Sequence, residues 1–158
     1  MKAPEVLAAH HRLTDFKCGK PALDRWLIDR ARKSQAEGGA QTYVVCEDNA
    51  VLGYYALAAG FVARAGAPSA VRRNMPDAIP VVVLARLAVH AEHAGRGIGS
   101  GLLKDAVLRA LRLRQELGIR AMLCHAIDDE AAAFYRHHGF ADSRLDPLTL
   151  LLNLSRLP

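Results

Sequence analysis

Two short stretches carry residue types and spacings suited to chemistry. The first is Gly95-Arg96-Gly97-Ile98-Gly99-Ser100-Gly101, set between a β-branched apolar run and a helical pattern. Glycines let a backbone take unusual dihedrals and come close to a ligand. Successive amides at a helix N-terminus converge on one place, where the helix dipole also favours negative charge. This is the chemistry of a pyrophosphate cradle, with Arg96 adding charge. A P-loop would need Gly-Lys followed by Ser or Thr, which is absent. A Rossmann fingerprint is nearly met by Gly95, Gly97 and Ser100, but it belongs after a first strand with further βα units downstream. Only about 60 residues follow here. A merely tight strand–helix turn remains the bland alternative.

The second stretch is Ala133-Phe134-Tyr135-Arg136-His137-His138-Gly139-Phe140, which places Tyr135 near the end of the last helix. Taken alone, it reads equally as a Phe134–Phe140 core pair with an amphipathic tyrosine beside it. The seven histidines have surface or core roles open to them, and none is singled out as a metal ligand.

The elements that must position these stretches follow from periodicity and punctuation. Pro4 to His10 is expected as a short first strand. A helix begins at Pro21, where proline is tolerated at the first helical position. Leu23, Trp26, Leu27 and Ala31 keep helical spacing, and Gly38-Gly39 ends the element. Gln41 to Cys46 and Val51 to Ala63 read as strands around a turn at Glu47-Asp48-Asn49-Ala50. Arg64 to Ile79 reads as a long loop, of the kind that is often functional. Val81 to Val89 suits a central strand buried on both faces. Ile98, Leu102, Leu103, Ala106, Val107, Ala110 and Leu111 trace one face of a helix that stops at Gly118. Ile119 to Ile127 is a further strand. Asp128-Asp129 cap a helix running to His138, with Gly139 beyond its end. Phe140 to Ser143 and Leu148 to Leu154 finish as strands turned by Asp146-Pro147. The expectation is a single mixed α/β domain over residues 1–158.

Composition narrows the class. A chain of 158 residues, 51% hydrophobic and 23% charged, has the make-up of one globular domain. Cys18, Cys46 and Cys124 are odd in number and contain no CxxC pair, which argues against a disulfide framework or a thiolate zinc site. The N-terminus lacks the apolar stretch of a signal peptide, and no apolar run approaches the ~20 residues of a spanning helix. A cytoplasmic protein without membrane attachment is expected. The formal net charge of +5 favours polyanionic partners, whether a phosphorylated cofactor or a nucleic acid. Arg109, Arg112 and Arg114 read as a solvated helix face.

Together the two stretches resemble the GNAT acetyltransferase superfamily. Its Gln/Arg-x-x-Gly-x-Gly/Ala pattern aligns with Ala94 to Gly99, Ala94 departing from the usual Gln or Arg, and its terminal Tyr-x-x-x-Gly-Phe with Tyr135 to Phe140. The resemblance spans Val44 to Leu152. It implies the GNAT fold, a mixed central β-sheet with a splayed strand pair, flanked by helices. It also implies acetyl-CoA as cosubstrate and no metal. The backbone of Leu87 and Val89 would line the pantetheine arm. Gly95, Arg96, Gly97, Ile98, Gly99 and Ser100 would hold the pyrophosphate. Tyr135 would protonate the leaving thiolate, which a phenol of reference pKa ~10 can do for a thiol near ~8.5.

A narrower resemblance runs through Phe16-Lys17-Cys18-Gly19, Leu23-Asp24-Arg25-Trp26-Leu27 and Leu84-Ala85-Arg86-Leu87-Ala88-Val89. These are similar to the GNAT-type toxins of type II toxin–antitoxin systems. His90 stands where those toxins usually carry an acidic residue. The likeness implies acetylation of the α-amino group of aminoacyl-tRNA, a ribbon–helix–helix antitoxin and a homodimer. Lys33, Arg72, Arg73 and Arg86 would then be the tRNA-binding candidates. For the proton of the amine, Glu92, His90 and His125 are candidates, and water is another. Two other functions stay open: a GNAT acting on a small amine or a protein N-terminus, and a non-catalytic acyl-CoA-binding module.

Overall fold

The β-branched run expected at the centre forms the long strand β4 (Ile79–Val89), two residues longer at its start than periodicity alone indicates. The coordinates are a computed structural model describing residues 2–157, so the two end positions of the expected domain, 1 and 158, lie outside the described residues. The other strands are β1 (Glu5–Val6), β2 (Gln41–Glu47), β3 (Ala50–Val62), β5 (Ala121–His125), β6 (Ala141–Asp142) and β7 (Thr149–Asn153). The helices are α1 (Pro21–Asp29), α2 (Ala31–Ala36), α3 (Ser69–Arg72), α4 (Ile98–Arg114) and α5 (Asp129–His137). Seven strands are hydrogen-bonded in the order β1-β2-β3-β4-β5-β7-β6. The β4–β5 pair is parallel, while β1–β2, β2–β3, β5–β7 and β6–β7 are antiparallel. This is the mixed α/β architecture expected. Among the described residues, no helix is long and apolar enough to cross a membrane.

The chain divides into two compact units, each made of two separate segments. The first joins Met1–Ala58 to Ala85–Ala106, and the second joins Ala59–Leu84 to Val107–Pro158. In the first unit, Leu7, Leu13, Phe16, Leu27, Val44, Val51, Tyr54 and Ala88 form a buried apolar cluster. The β2–β3 hairpin turns at Asp48 (φ 50°) and Asn49 (φ 67°), both left-handed. That pair of dihedrals matches the strand twist in a two-residue loop, and Asx residues tolerate it. Gly53 is demanded by packing: a Cβ there would lie 2.9 Å from Leu102 Cδ1 and 3.3 Å from the Ala88 carbonyl oxygen.

In the second unit, Val62, Ala67, Val71, Ile79, Val81, Ala121, Leu123 and Leu151 make a second cluster. The segment expected as an open loop from Arg64 to Ile79 carries a 3₁₀ turn at Arg64–Gly66 and the short helix α3. Arg120 explains much of this order. Its guanidinium donates to the carbonyls of Val71 (2.9 Å), Ala70 (3.0 Å) and Arg73 (3.3 Å), satisfying the end of α3 with a positive charge. Sequence periodicity has no access to that long-range cap.

Other boundaries shift for local reasons. The first strand shrinks to two residues because Pro4 offers no amide and the chain turns by 8–11, where the His11 amide donates to the Ala8 carbonyl. The helix expected from Pro21 to Gly38 breaks at Arg30 into α1 and α2. The helix expected to reach Gly118 ends at Arg114, beyond which the amides of Gln115 and Glu116 make tighter i→i−3 bonds. Arg114 is not merely solvated, because its guanidinium donates to the Leu154 carbonyl at 2.7 Å.

The cap of α5 is as expected: the Asp128 carboxylate accepts from the Ala131 amide at 2.9 Å, and Gly139 beyond the helix has φ 96°. Asp128→Ala should cost about 1 kcal/mol of stability, the usual worth of such a cap. Urea unfolding of the variant, with an unchanged slope and a lower midpoint, is the measurement.

Candidate active site

The pairing of β4 with β5 runs from Val81–Ala121 to Leu84–Cys124. β4 then continues to Val89 with no β5 partner among the described residues. This free run carries Leu87 and Val89, both half-buried, and alternates with Arg86 and Ala88 on the opposite face. Beyond it the chain is tied down at once. The His90 amide donates to the Leu52 carbonyl at 2.7 Å and the Ala91 amide to Lys17 at 2.8 Å.

The glycine turn follows, with Gly95 at φ 78° and Gly97 at φ 81°. A Cβ at either position would meet nothing within 4 Å. The glycines are therefore required by backbone twist rather than by crowding, and open space stands before α4. Ile98, 7% exposed, anchors the helix start. A helix start of this kind has leading amides without intrahelical acceptors, the usual setting for an anion. Arg96 is exposed, and its guanidinium donates to His93 Nδ1 at 2.7 Å.

A cleft of about 320 Å³ lies against this turn, lined by Lys2, Val45, Arg96, Gly97, Ile98 and Leu102 among others. Lys2 is a second cation that sequence reasoning missed, since nothing in its neighbours signals that the N-terminal segment comes here. A helix N-terminus with two cations beside an open cleft fits a pyrophosphate group.

In the second unit, Tyr135 is 6% exposed. Its ring packs 5.4 Å from those of Phe134 and Phe140, so both phenylalanines pack on the tyrosine, and Phe134 is half-buried rather than half of a core pair. Burial, with a smaller contribution from Cys124, raises the phenol above its ordinary pKa. Cys124 itself is pushed up to about 12 by burial. The Tyr135 hydroxyl makes no hydrogen bond among the described residues, nor is it among the sealed, unsatisfied atoms. It is a protonated donor without a partner.

The three candidate proton acceptors separate by their hydrogen bonds. His90 accepts from the Glu92 amide through Nδ1 at 3.2 Å and gives its Nε2 proton to the Asp15 carbonyl at 3.2 Å, so both nitrogens are engaged. Glu92 is exposed. His125 differs. The Thr149 hydroxyl donates to the Asp146 carboxylate at 2.8 Å, so its oxygen accepts from His125 Nδ1 at 2.9 Å. That assigns the proton to Nδ1 and leaves Nε2 with a free lone pair in the neutral ring. The hydroxyl of Thr149 also holds the Asp146 carboxylate below its ordinary pKa.

The basic candidates divide between the units. Lys33 is exposed on α2, and Arg86 is half-buried on β4. Arg72 is the last residue of α3 and half-buried, and Arg73 is exposed just beyond it, so neither stands in an open loop. Lys33, Arg72, Arg73 and Arg86 make no hydrogen bond to one another. One group of potential metal donors also converges: atoms of Glu5, His10 and His11 lie within 4.8 Å of one another. His11 Nδ1 accepts from the Ala8 amide at 2.9 Å and Nε2 donates to Glu5 at 2.7 Å. Those bonds account for the buried histidine as a satisfied core group.

Against known proteins, the model of the acetyltransferase (GNAT) domain matches residues 38–142. A tRNA-acetylating toxin of Mycobacterium tuberculosis is 48% identical over 150 residues, covering 95% of this chain and 90% of that protein. Among solved structures, AtaT complexed with acetyl-methionyl-tRNAfMet superposes with a TM-score of 0.89 at 26% identity, covering 97% of this chain and 95% of that one. A tyrosine-to-phenylalanine mutant of the AtaT toxin, bound to the C-terminus of the antitoxin AtaR and acetyl-CoA, gives a TM-score of 0.84 at 26% identity, covering 97% and 93%.

Gly97→Val tests the cradle. A β-branched side chain held at positive φ costs about 1–3 kcal/mol and fills the space before α4. Calorimetry with acetyl-CoA should show affinity lower by about 10-fold or more, with the circular dichroism of the folded chain retained. Unchanged affinity in the folded variant would remove the glycine turn from the site.

Proposed function

The chain belongs to the GNAT acetyltransferases, and from that premise we propose that it acetylates the α-amino group of aminoacyl-tRNA and so arrests translation as the toxin of a toxin–antitoxin pair. The observation that carries the substrate is the near-full-length likeness to a tRNA-acetylating toxin. A net charge of +5 suits an RNA partner.

The chain's own residues divide the work. Amides of Gly95 to Ser100, with Arg96 and Lys2, take the pyrophosphate of acetyl-CoA. The free backbone of Leu87 and Val89 lies along the pantetheine arm. The amine attacks the thioester carbonyl, forming the C–N bond as the C–S bond breaks. Tyr135 gives its phenolic proton to the departing thiolate, and its raised pKa keeps that proton in place through the neutral range. His125 Nε2 takes the proton of the amine, its ring oriented by Thr149 and Asp146. An α-amine of pKa ~8 needs only modest help, being partly neutral at pH 7. Lys33, Arg72, Arg73 and Arg86 meet the tRNA. The partner is an antitoxin of the ribbon–helix–helix type, the working form is a homodimer, and the place of action is the cytoplasm.

Tyr135→Phe removes one hydroxyl and little volume. Acetyl transfer should fall roughly 10²–10⁴-fold with acetyl-CoA affinity retained, and cells should tolerate the variant where the wild type arrests growth. His125→Ala should lower the rate by about 10-fold or more, most where the imidazole is neutral and its Nε2 can accept a proton. Wild-type turnover of a small amine without growth arrest would favour a metabolic acetyltransferase. Cofactor binding with no transfer to any amine would favour a non-catalytic module. Separately, reversing Arg72 and Arg73 to Glu should flatten the salt dependence of tRNA binding by about one unit of slope per lost phosphate contact. An unchanged slope measured by filter binding would move the RNA surface elsewhere.

A further inference from the structure

Arg86 has an unusual environment for a guanidinium. Its Cζ sits 4.3 Å from the centroid of the Trp26 ring. Trp26 stacks on Tyr54 at 6.1 Å and 12°. Tyr54 is wholly buried and donates its hydroxyl to the Leu23 carbonyl at 2.7 Å, and Phe16 meets it edge-on at 5.5 Å. The platform beneath Arg86 is thus fixed by α1, β3 and the segment before α1. The guanidinium itself is half-buried and makes no hydrogen bond or ion pair among the described residues. Asp24, an acid on α1, accepts from the Cys18 amide at 2.9 Å.

A half-buried cation without a counter-charge is costly, and natural cores pair or remove such groups. Burial lowers the pKa of Arg86, as expected of a charge short of solvation. The cation–π contact covers one face and offsets part of that cost. It consumes none of the N–H donors, whose planar fork matches a phosphate with two parallel bonds. Arg86 directly precedes Leu87, on the strand run assigned above to the pantetheine arm that carries the thioester. An anion bound at Arg86 therefore belongs to whatever presents its amine there.

We propose that Arg86, stacked on Trp26, is the docking site for the terminal phosphodiester of the aminoacylated RNA. This phosphate is one ribose away from the ester that carries the reacting amine. The inference rests on the aminoacyl-tRNA reading and adds which part of the acceptor is held, and by what. Arg86 acts here as a positioning residue, and Trp26 as its support.

The test uses the full chain with three small acceptors: a 3′-aminoacyl-adenosine, the aminoacylated dinucleotide CpA, and the same dinucleotide with a neutral methylphosphonate linkage. Wild type should prefer the charged dinucleotide to the neutral one by about 10–100-fold in kcat/KM, the usual worth of hydrogen bonds to a charged group, with the difference mainly in KM. Arg86→Lys keeps the charge but loses the fork and the stack, and should abolish most of that preference while acetyl-CoA affinity stays put. Trp26→Phe retains a smaller ring and should fall between the two. A folded Arg86→Lys variant that discriminates between the linkages as wild type does would overturn the proposal. So would unchanged RNA kinetics together with weakened binding of the antitoxin, which would assign the pair to a protein carboxylate. If wild type acetylates neither dinucleotide nor full aminoacyl-tRNA, the aminoacyl-tRNA reading falls, and this inference with it.

Discussion

The β4–β5 ladder stops at Leu84 and Cys124 while β4 runs on to Val89. Backbone amides and carbonyls that leave a ladder must find other partners, because an unpaired polar group away from water costs about as much as a lost hydrogen bond. The chain meets that constraint on one side with the bonds at His90 and Ala91, which hold the strand end against Leu52 and Lys17. On the other side it leaves a strip of backbone for a ligand. The glycine turn then reverses into α4, whose first turn has no preceding helical carbonyls to accept from its leading amides. Strip and helix start belong to one unit and follow each other within the same stretch of chain, so a single interruption in pairing sets up both halves of the proposed cofactor site.

Incomplete satisfaction marks the groups assigned to function. Several polar side chains inside this protein are engaged: both nitrogens of His11 and of His90, and three donors of Arg120, have partners, while the buried Thr42 hydroxyl has none among the described residues. Against that background, Tyr135 and Arg86 are exceptions of the same kind. Each is packed by aromatic rings, each has its pKa displaced by burial, and each has donors without a partner among the described residues. The rings fix direction without consuming a hydrogen bond. That arrangement costs stability in the free protein, and under the roles proposed for them a ligand supplies the missing acceptor.

His125 shows how a second residue can set the state of a first. The hydroxyl of Thr149 has one proton, and the carboxylate of Asp146 takes it. Only then must His125 carry its proton on Nδ1, which frees Nε2. Three side chains from β5, β7 and the turn before β7 thereby specify one tautomer. His90 lacks such a relay, and its own neighbours consume it.

The residues alone determined the order of elements, the strand at the centre, the glycine turn and the tyrosine. All of these rest on spacing within a few residues: a period of two or 3.6, a proline or glycine at an end, an aspartate before a helix. Boundaries slipped where a distant partner decided them, as at α3, whose end is capped by Arg120, and at α4, where Arg114 reaches Leu154. The site shows the same division. Gly95 to Ser100 and Tyr135 announce themselves because their chemistry needs only their own backbone and neighbours. Lys2 beside the glycine turn, the Asp146–Thr149–His125 relay and the Trp26 platform under Arg86 depend on residues tens of positions apart. Only the packing of strands and helices brings such side chains within a hydrogen bond or a ring contact, and no local pattern encodes that distance.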